Sequence, residues 1–120
     1  MGGYSNRKGK EHEKATRRYL ERRGFERAER TSRGVAQPNG DIVGIPGFVI
    51  ECKNLKDIAR ALREGVDQAV AAAEEGLDYP LAVVKRPLHG IEDAYAVMPL
   101  AEMVTLAKEL QSLKRAVYGE

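Results

Sequence analysis

Apolar and polar positions change rhythm several times along the 120-residue chain. Residues 9–23 carry a thin apolar stripe, Ala15, Tyr19 and Leu20, among arginines at 17, 18, 22 and 23. This predicts a helix ended by Gly24. Residues 25–31 read as a first strand and 32–40 as a loop. Two short apolar runs follow, Ile42, Val43 and Ile45, then Phe48, Val49 and Ile50, divided by Pro46-Gly47. That is the pattern of a β-hairpin. Asp57 is placed to cap a helix reaching about Glu75, with Ile58, Ala61, Leu62, Val66, Ala69, Val70 and Ala73 at helical spacing and Gly76 as terminator. Gly65 is out of character inside it, since glycine weakens a helix by about 1 kcal/mol relative to alanine. Leu81–Lys85 and Ala94–Met98 read as strands around a turn over 86–93. Pro99 then opens a last, amphipathic helix whose apolar side serves equally as core or as interface.

The predicted order is αβββαββα: a single α/β domain over residues 9–120, with a central mixed sheet flanked by helices and a flexible basic arm over 1–8. A hydrophobic content of 42% suffices for one core. No stretch of about 18 apolar residues occurs, so no membrane span is expected. The basic, polar N-terminus lacks the apolar segment of a secretory signal. The lone cysteine, Cys52, excludes an internal disulfide and fits a reducing cytoplasm. The net charge of +2 hides an asymmetry. Residues 1–35 hold eleven Lys/Arg and five Asp/Glu, a balance of +6, and the rest carries −4. A basic N-terminal third suits an acidic partner, and nucleic-acid phosphates are the natural one.

The hairpin is where chemistry concentrates. Asp41 heads its first arm, and Glu51 and Lys53 end its second. Glu51 and Lys53 are two apart in a strand, so they share a face, while Cys52 points to the other as a core residue. Charges this close to a buried strand need a reason. A carboxylate pair that holds a metal, with a lysine beside it, supplies one. One cysteine and two distant histidines offer no zinc set. No glycine-rich phosphate loop precedes a helix. His12 reads as a surface helix residue, and His89 as a turn residue with no partner.

Asp41, nine intervening residues, then Glu51-Cys52-Lys53 resembles the signature of the PD-(D/E)XK nuclease superfamily, with Gly40-Asp41 standing where the family's name has Pro-Asp. Arg7-Lys8-Gly9, Glu13, Leu20 and Arg23-Gly24-Phe25 resemble the opening helix of its archaeal and phage Holliday junction resolvases. The resemblance implies a restriction-endonuclease-like core and a metal-dependent, structure-selective DNA endonuclease acting on four-way junctions in recombination and repair, within a bacterial, archaeal or phage-infected cell. Mg²⁺, with Mn²⁺ able to substitute, would be held by Asp41, Glu51 and the Cys52 backbone carbonyl. Glu13 would join through water or at a second metal position. Lys53 would orient the attacking water or stabilise developing charge. Glu11 competes with Glu13 for the helix position, and spacing from Arg7-Lys8-Gly9 selects Glu13. Arg7, Lys8, Arg30, Ser32 and Arg33, with Arg17, are the expected DNA contacts. Gln68 is either a near-site residue or an exposed polar one. A homodimer is implied, since a junction has two strands to cut symmetrically. Another nuclease on the same core, or a non-catalytic DNA-binding module, is the alternative; the intact Asp41, Glu51 and Lys53 favour an enzyme.

Overall fold

The structure, a computed structural model, describes residues 3–31, 40–73 and 77–119. Its elements are α1 (Gly3–Arg22), β1 (Glu29–Arg30), β2 (Ile42–Val43), β3 (Phe48–Lys53), α2 (Ile58–Ala72), β4 (Tyr79–Val84), β5 (Tyr95–Val97) and α3 (Leu100–Tyr118), with a 3₁₀ turn at Ile91–Asp93. The order is αβββαββα, as the sequence predicts.

The five strands form one mixed sheet in the order β1-β2-β3-β4-β5. β2 and β3 pair antiparallel as the expected hairpin, with Ile42 opposite Ile50. Phe48 N–H closes the turn on the Ile45 carbonyl at 3.1 Å. β3 and β4 are parallel over their whole length. A parallel pair needs a crossover, and α2 supplies it. β3 is therefore the central strand, buried along four of its six positions.

Alternation sends β3 side chains to two cores. Ile50 and Cys52 join Ala28, Ile42 and Ile45 under α1, against Leu20, Leu81 and Val83. On the other face Ala61 of α2 packs on Ala82 and Val84 of β4. The contact face of α2 is small throughout: Ala61, Gly65 and Ala69 recur every fourth residue. The Asp57 carboxylate caps it, accepting from Arg60 N–H at 3.1 Å.

Several expectations are corrected. The flexible arm over 1–8 is, from Gly3 on, the start of α1. No proline interrupts that stretch, and the Asn54 side chain donates to the Lys8 carbonyl at 3.5 Å, tying the helix to the end of β3. The strand expected over 25–31 pairs only at Glu29–Arg30. Its first half is a turn, in which Phe25 N–H bonds the Leu20 carbonyl and Ala28 N–H the Phe25 carbonyl. α2 is described to Ala72, and its expected end at Glu75-Gly76 lies outside the described residues. α3 buries none of its residues. It meets the sheet chiefly along β4, where Glu102 and Leu106 are half-buried. Glu109 approaches the Tyr79 hydroxyl there and raises its pKa to about 12, although no well-formed hydrogen bond joins them. Among the described residues no helix is long and apolar enough to cross a membrane.

Candidate active site

The hairpin brings Asp41 and Glu51 together as expected. Asp41 N–H donates to the Ile50 carbonyl at 2.8 Å, beside an isolated bridge that Gly40 makes to Ile50 ahead of β2. Its carboxylate turns back and accepts from Cys52 N–H, also at 2.8 Å. Asp41 thereby bridges one edge of β3. Successive backbone groups of a strand point to alternate edges. Ile50 and Cys52 face the Asp41 edge, and the Lys53 carbonyl faces β4, where it accepts from Lys85 N–H at 2.8 Å. The Cys52 carbonyl consequently lies on the same edge as the Asp41 carboxylate.

Glu51 retains 6% of its exposure. Burial pushes its carboxyl up from 4.5 to about 7, reinforced by the charge of Asp41 and by a hydrogen bond shared with it; Glu13 adds slightly and Lys53 opposes. The Asp41 charge and hydrogen bond act on Glu51 in the same direction as its burial, so Glu51 holds its proton to higher pH than an ordinary carboxylate. This is the donor chemistry a hard divalent cation takes: two carboxylates and a neighbouring backbone carbonyl. Among the described residues no three His, Cys, Asp or Glu side chains converge tightly enough to form a metal site by themselves. A bound ion would therefore lean on the Cys52 carbonyl and water, as the resemblance implies.

Gly40 explains why the aspartate is preceded by glycine. Its φ of +82° is closed to proline, which is fixed near −65°. A Cβ at Gly40 would stand 2.6 Å from the Ile50 carbonyl oxygen and 3.1 Å from Glu51 Oε2. Only a residue without Cβ lets this backbone pass beside the Glu51 carboxylate. Gly65 has a matching role across the sheet. A Cβ there would meet Ala82 Cβ at 2.9 Å and Lys53 Cγ at 3.1 Å. The glycine that looks misplaced in the helix leaves room for the half-buried Lys53 stem.

Glu13 is half-buried on α1 and accepts from Arg30 Nε and Nη2, both at 3.2 Å. Glu11 is exposed and pairs with Lys14 at 3.7 Å. The two acids thus part as expected, with Glu13 toward the sheet. Arg30, expected on DNA, is engaged with Glu13. Arg17 pairs with Glu21 at 3.4 Å, Arg7 is exposed, and Ser32 and Arg33 lie outside the described residues. Gln68 is exposed on α2, away from the buried Ala61–Gly65–Ala69 line.

His12 is not a surface residue: it is 3% exposed, and its Nε2 meets the Val83 carbonyl at 3.0 Å. Facing a carbonyl, Nε2 must carry the hydrogen, which leaves Nδ1 buried without a partner. Burial lowers its pKa, which favours the neutral ring. Thr16, one turn on, is equally buried and donates to the His12 carbonyl at 2.8 Å. The inward face of α1 is thus His12, Thr16 and Leu20. The spacing of four was visible in the sequence, but two of the three are polar. His89 does have a partner, Asp93 Oδ2 at 3.3 Å from its Nδ1. Cys52 is buried as expected, and desolvation first, then nearby Asp41, drives its thiol pKa far up.

Comparison of the chain with protein-family models, curated proteins and solved structures returned no significant match.

Proposed function

We propose that this chain is a divalent-metal-dependent DNA endonuclease of the PD-(D/E)XK kind, with a restriction-endonuclease-like core, acting on four-way junctions. The observation that carries the reading is Glu51. It is a carboxylate buried on the central strand, paired with Asp41, with Lys53 two residues on toward the same face. A surface ion-pair cluster would sit on an edge strand and stay solvated; Glu51 does neither.

Hydrolysis requires a water to lose a proton, attack phosphorus, and expel the leaving oxygen as the P–O bond breaks. A divalent cation held by Asp41, Glu51 and the Cys52 carbonyl would polarise the phosphate and acidify the water. The chain supplies the rest. Asp41 is held in place by Cys52 N–H. Lys53, its stem fixed against α2 at Gly65, offers an ammonium beside the developing charge. Glu13, held by Arg30, brings a third acidic group from α1. The basic N-terminal third offers cations to phosphate.

The test is cleavage of four-way junctions, linear duplex and single strands with Mg²⁺ and with chelator, in wild type, Asp41→Asn and Glu51→Gln. Metal-dependent junction cleavage lost in both variants supports the reading. Cleavage surviving in either variant removes these residues from the site. Equal cutting of all substrates keeps the nuclease and removes the junction preference. Binding without cleavage leaves a DNA-binding module.

A further inference from the structure

The turn between β4 and β5 holds a leucine in a place and a conformation that leucine ordinarily avoids. Leu88 is fully exposed, at 103% of its reference area. Among the described residues it alone, glycines aside, has a positive φ, of 64°. The turn is Arg86-Pro87-Leu88-His89, closed by His89 N–H on the Arg86 carbonyl at 3.1 Å. Proline in the second place and a positive φ in the third are the marks of a type II turn, whose third place ordinarily takes glycine or asparagine. Leucine gains nothing there from the fold: it packs against no core, and its Cβ opposes the backbone geometry. Strain kept at an exposed apolar tip is a reason to look for its use outside the fold.

The tip is braced. Lys85 Nζ donates to the Arg86 carbonyl at 3.4 Å and also to the His89 carbonyl. The Arg86 guanidinium lies 5.6 Å from the centre of the Tyr95 ring. Both cations are half-buried at the base of the turn, and Pro87, Leu88 and His89 stand clear of it. The acids of this connection, Glu92 and Asp93, come after Gly90, in the 3₁₀ turn that packs on α1, and Asp93 pairs with His89. An apolar point on a cationic base suits insertion between stacked bases, with cations for the flanking phosphates. Its position suits the same partner. β3 and β4 run parallel, so their C-terminal ends lie together, and Lys85 N–H donates to the Lys53 carbonyl at 2.8 Å. Leu88 is three residues on from Lys85, about 10 Å of chain from the end of the strand that carries Glu51 and Lys53. Entering an intact duplex means opening a stacked step, whereas at a branch point the stack is already interrupted. An apolar wedge therefore tells branched DNA from linear.

We propose that Leu88 is a wedge that enters the branch point of a DNA junction next to the Asp41–Glu51 site, which makes it a specificity residue of the nuclease. The inference rests on the nuclease reading and adds to it the group that recognises branching.

The test is binding of the full chain, in chelator so that no strand is cut, to four-way junctions and linear duplex that carry 2-aminopurine at the branch point or the equivalent duplex position. Wild type should bind the junction more tightly than the duplex and raise the fluorescence at the branch point, as an unstacked base does. Leu88→Asn puts a polar residue that accepts a positive φ into the same turn. It should lose the fluorescence rise and roughly tenfold in junction affinity, with duplex affinity unchanged and a urea midpoint equal or higher. Leu88→Met, which keeps the apolar reach, should retain both signals. Junction binding without a fluorescence rise, or a Leu88→Asn chain that matches wild type on junctions, overturns the wedge; metal-dependent cleavage by the same wild type leaves the nuclease reading standing. A lower urea midpoint in Leu88→Asn also overturns it, because the leucine then packs within the domain. A wild type that binds neither DNA overturns the wedge, and loss of all metal-dependent cleavage overturns the nuclease reading with it. Leu88-dependent co-sedimentation with anionic phospholipid vesicles, without discrimination between the two DNAs, overturns the wedge and assigns the tip to a membrane surface.

Discussion

Replacing Glu51 by glutamine should make the metal-free protein more stable at neutral and alkaline pH, although it removes a residue of the proposed site. Glu51 titrates near 7 in the folded chain against an ordinary 4.5. A folded-state pKa that is raised means the folded chain holds its proton more tightly than the unfolded one. The associated stability is complete below 4.5 and lost as pH rises through about 7. At about 1.4 kcal/mol for each pH unit of displacement, the loss is about 3 kcal/mol. Glutamine keeps size and hydrogen bonding but never ionises. The assay is urea unfolding followed by circular dichroism from pH 4.5 to 8 in chelator. The two chains should be similar near pH 4.5 and diverge, with Glu51→Gln ahead by about 3 kcal/mol at pH 8. His12 contributes in the opposite sense, its lowered pKa removing stability as pH falls below 6.5, but it is present in both chains and cancels in the difference. Excess Mg²⁺ should then stabilise wild type at pH 8, by about 2.7 kcal/mol at a hundred times its dissociation constant, and leave Glu51→Gln nearly unmoved. A difference that stays flat with pH, or a magnesium effect equal in both chains, would refute the carboxylate-pair argument.

Glu13→Gln should reduce junction cleavage far more than Glu11→Gln, because Glu13 lies toward the sheet and Glu11 is exposed; equal losses in single-turnover rates would count against Glu13. Arg30→Ala should lower the cleavage rate by removing a partner of Glu13 while leaving the salt dependence of binding unchanged, whereas Arg7→Ala should lower the log–log salt slope by about one. The reverse pattern, measured by junction affinity across a salt series, would make Arg30 the phosphate contact. Gly65→Ala should destabilise the protein by about 1–3 kcal/mol despite alanine's better helix propensity, since its Cβ must displace Ala82 or Lys53. Cleavage should fall with it, and a net gain in urea midpoint would show that α2 can lift away freely.

The order of elements was legible because strands and helices here mostly follow ordinary periodicity. Pro46-Gly47 announced the hairpin, Asp57 its helix, and Asp41 and Glu51 their meeting. What stayed hidden was governed by tertiary contact. The inward face of α1 is polar at His12 and Thr16, whose burial is compensated by bonds to the Val83 and His12 carbonyls; hydrophobic periodicity cannot register such a face. Gly65 looked like a helix defect because its reason lies on another element. The run from Phe25 had strand composition, yet a turn takes its first half. For α3, periodicity identified the apolar side but not what meets it.

Cys52 has a consequence for watching this protein in motion. It is the chain's sole thiol, placed in the strand between Glu51 and Lys53, with its N–H committed to Asp41 and its side chain under α1. Alkylating reagents attack the thiolate, and this thiol is both enclosed and held protonated. Labelling can proceed only when β3 parts from α1. Its rate therefore clocks the breathing of the strand that carries the carboxylates, read without any introduced probe, and a ligand that clamps those carboxylates should slow the clock.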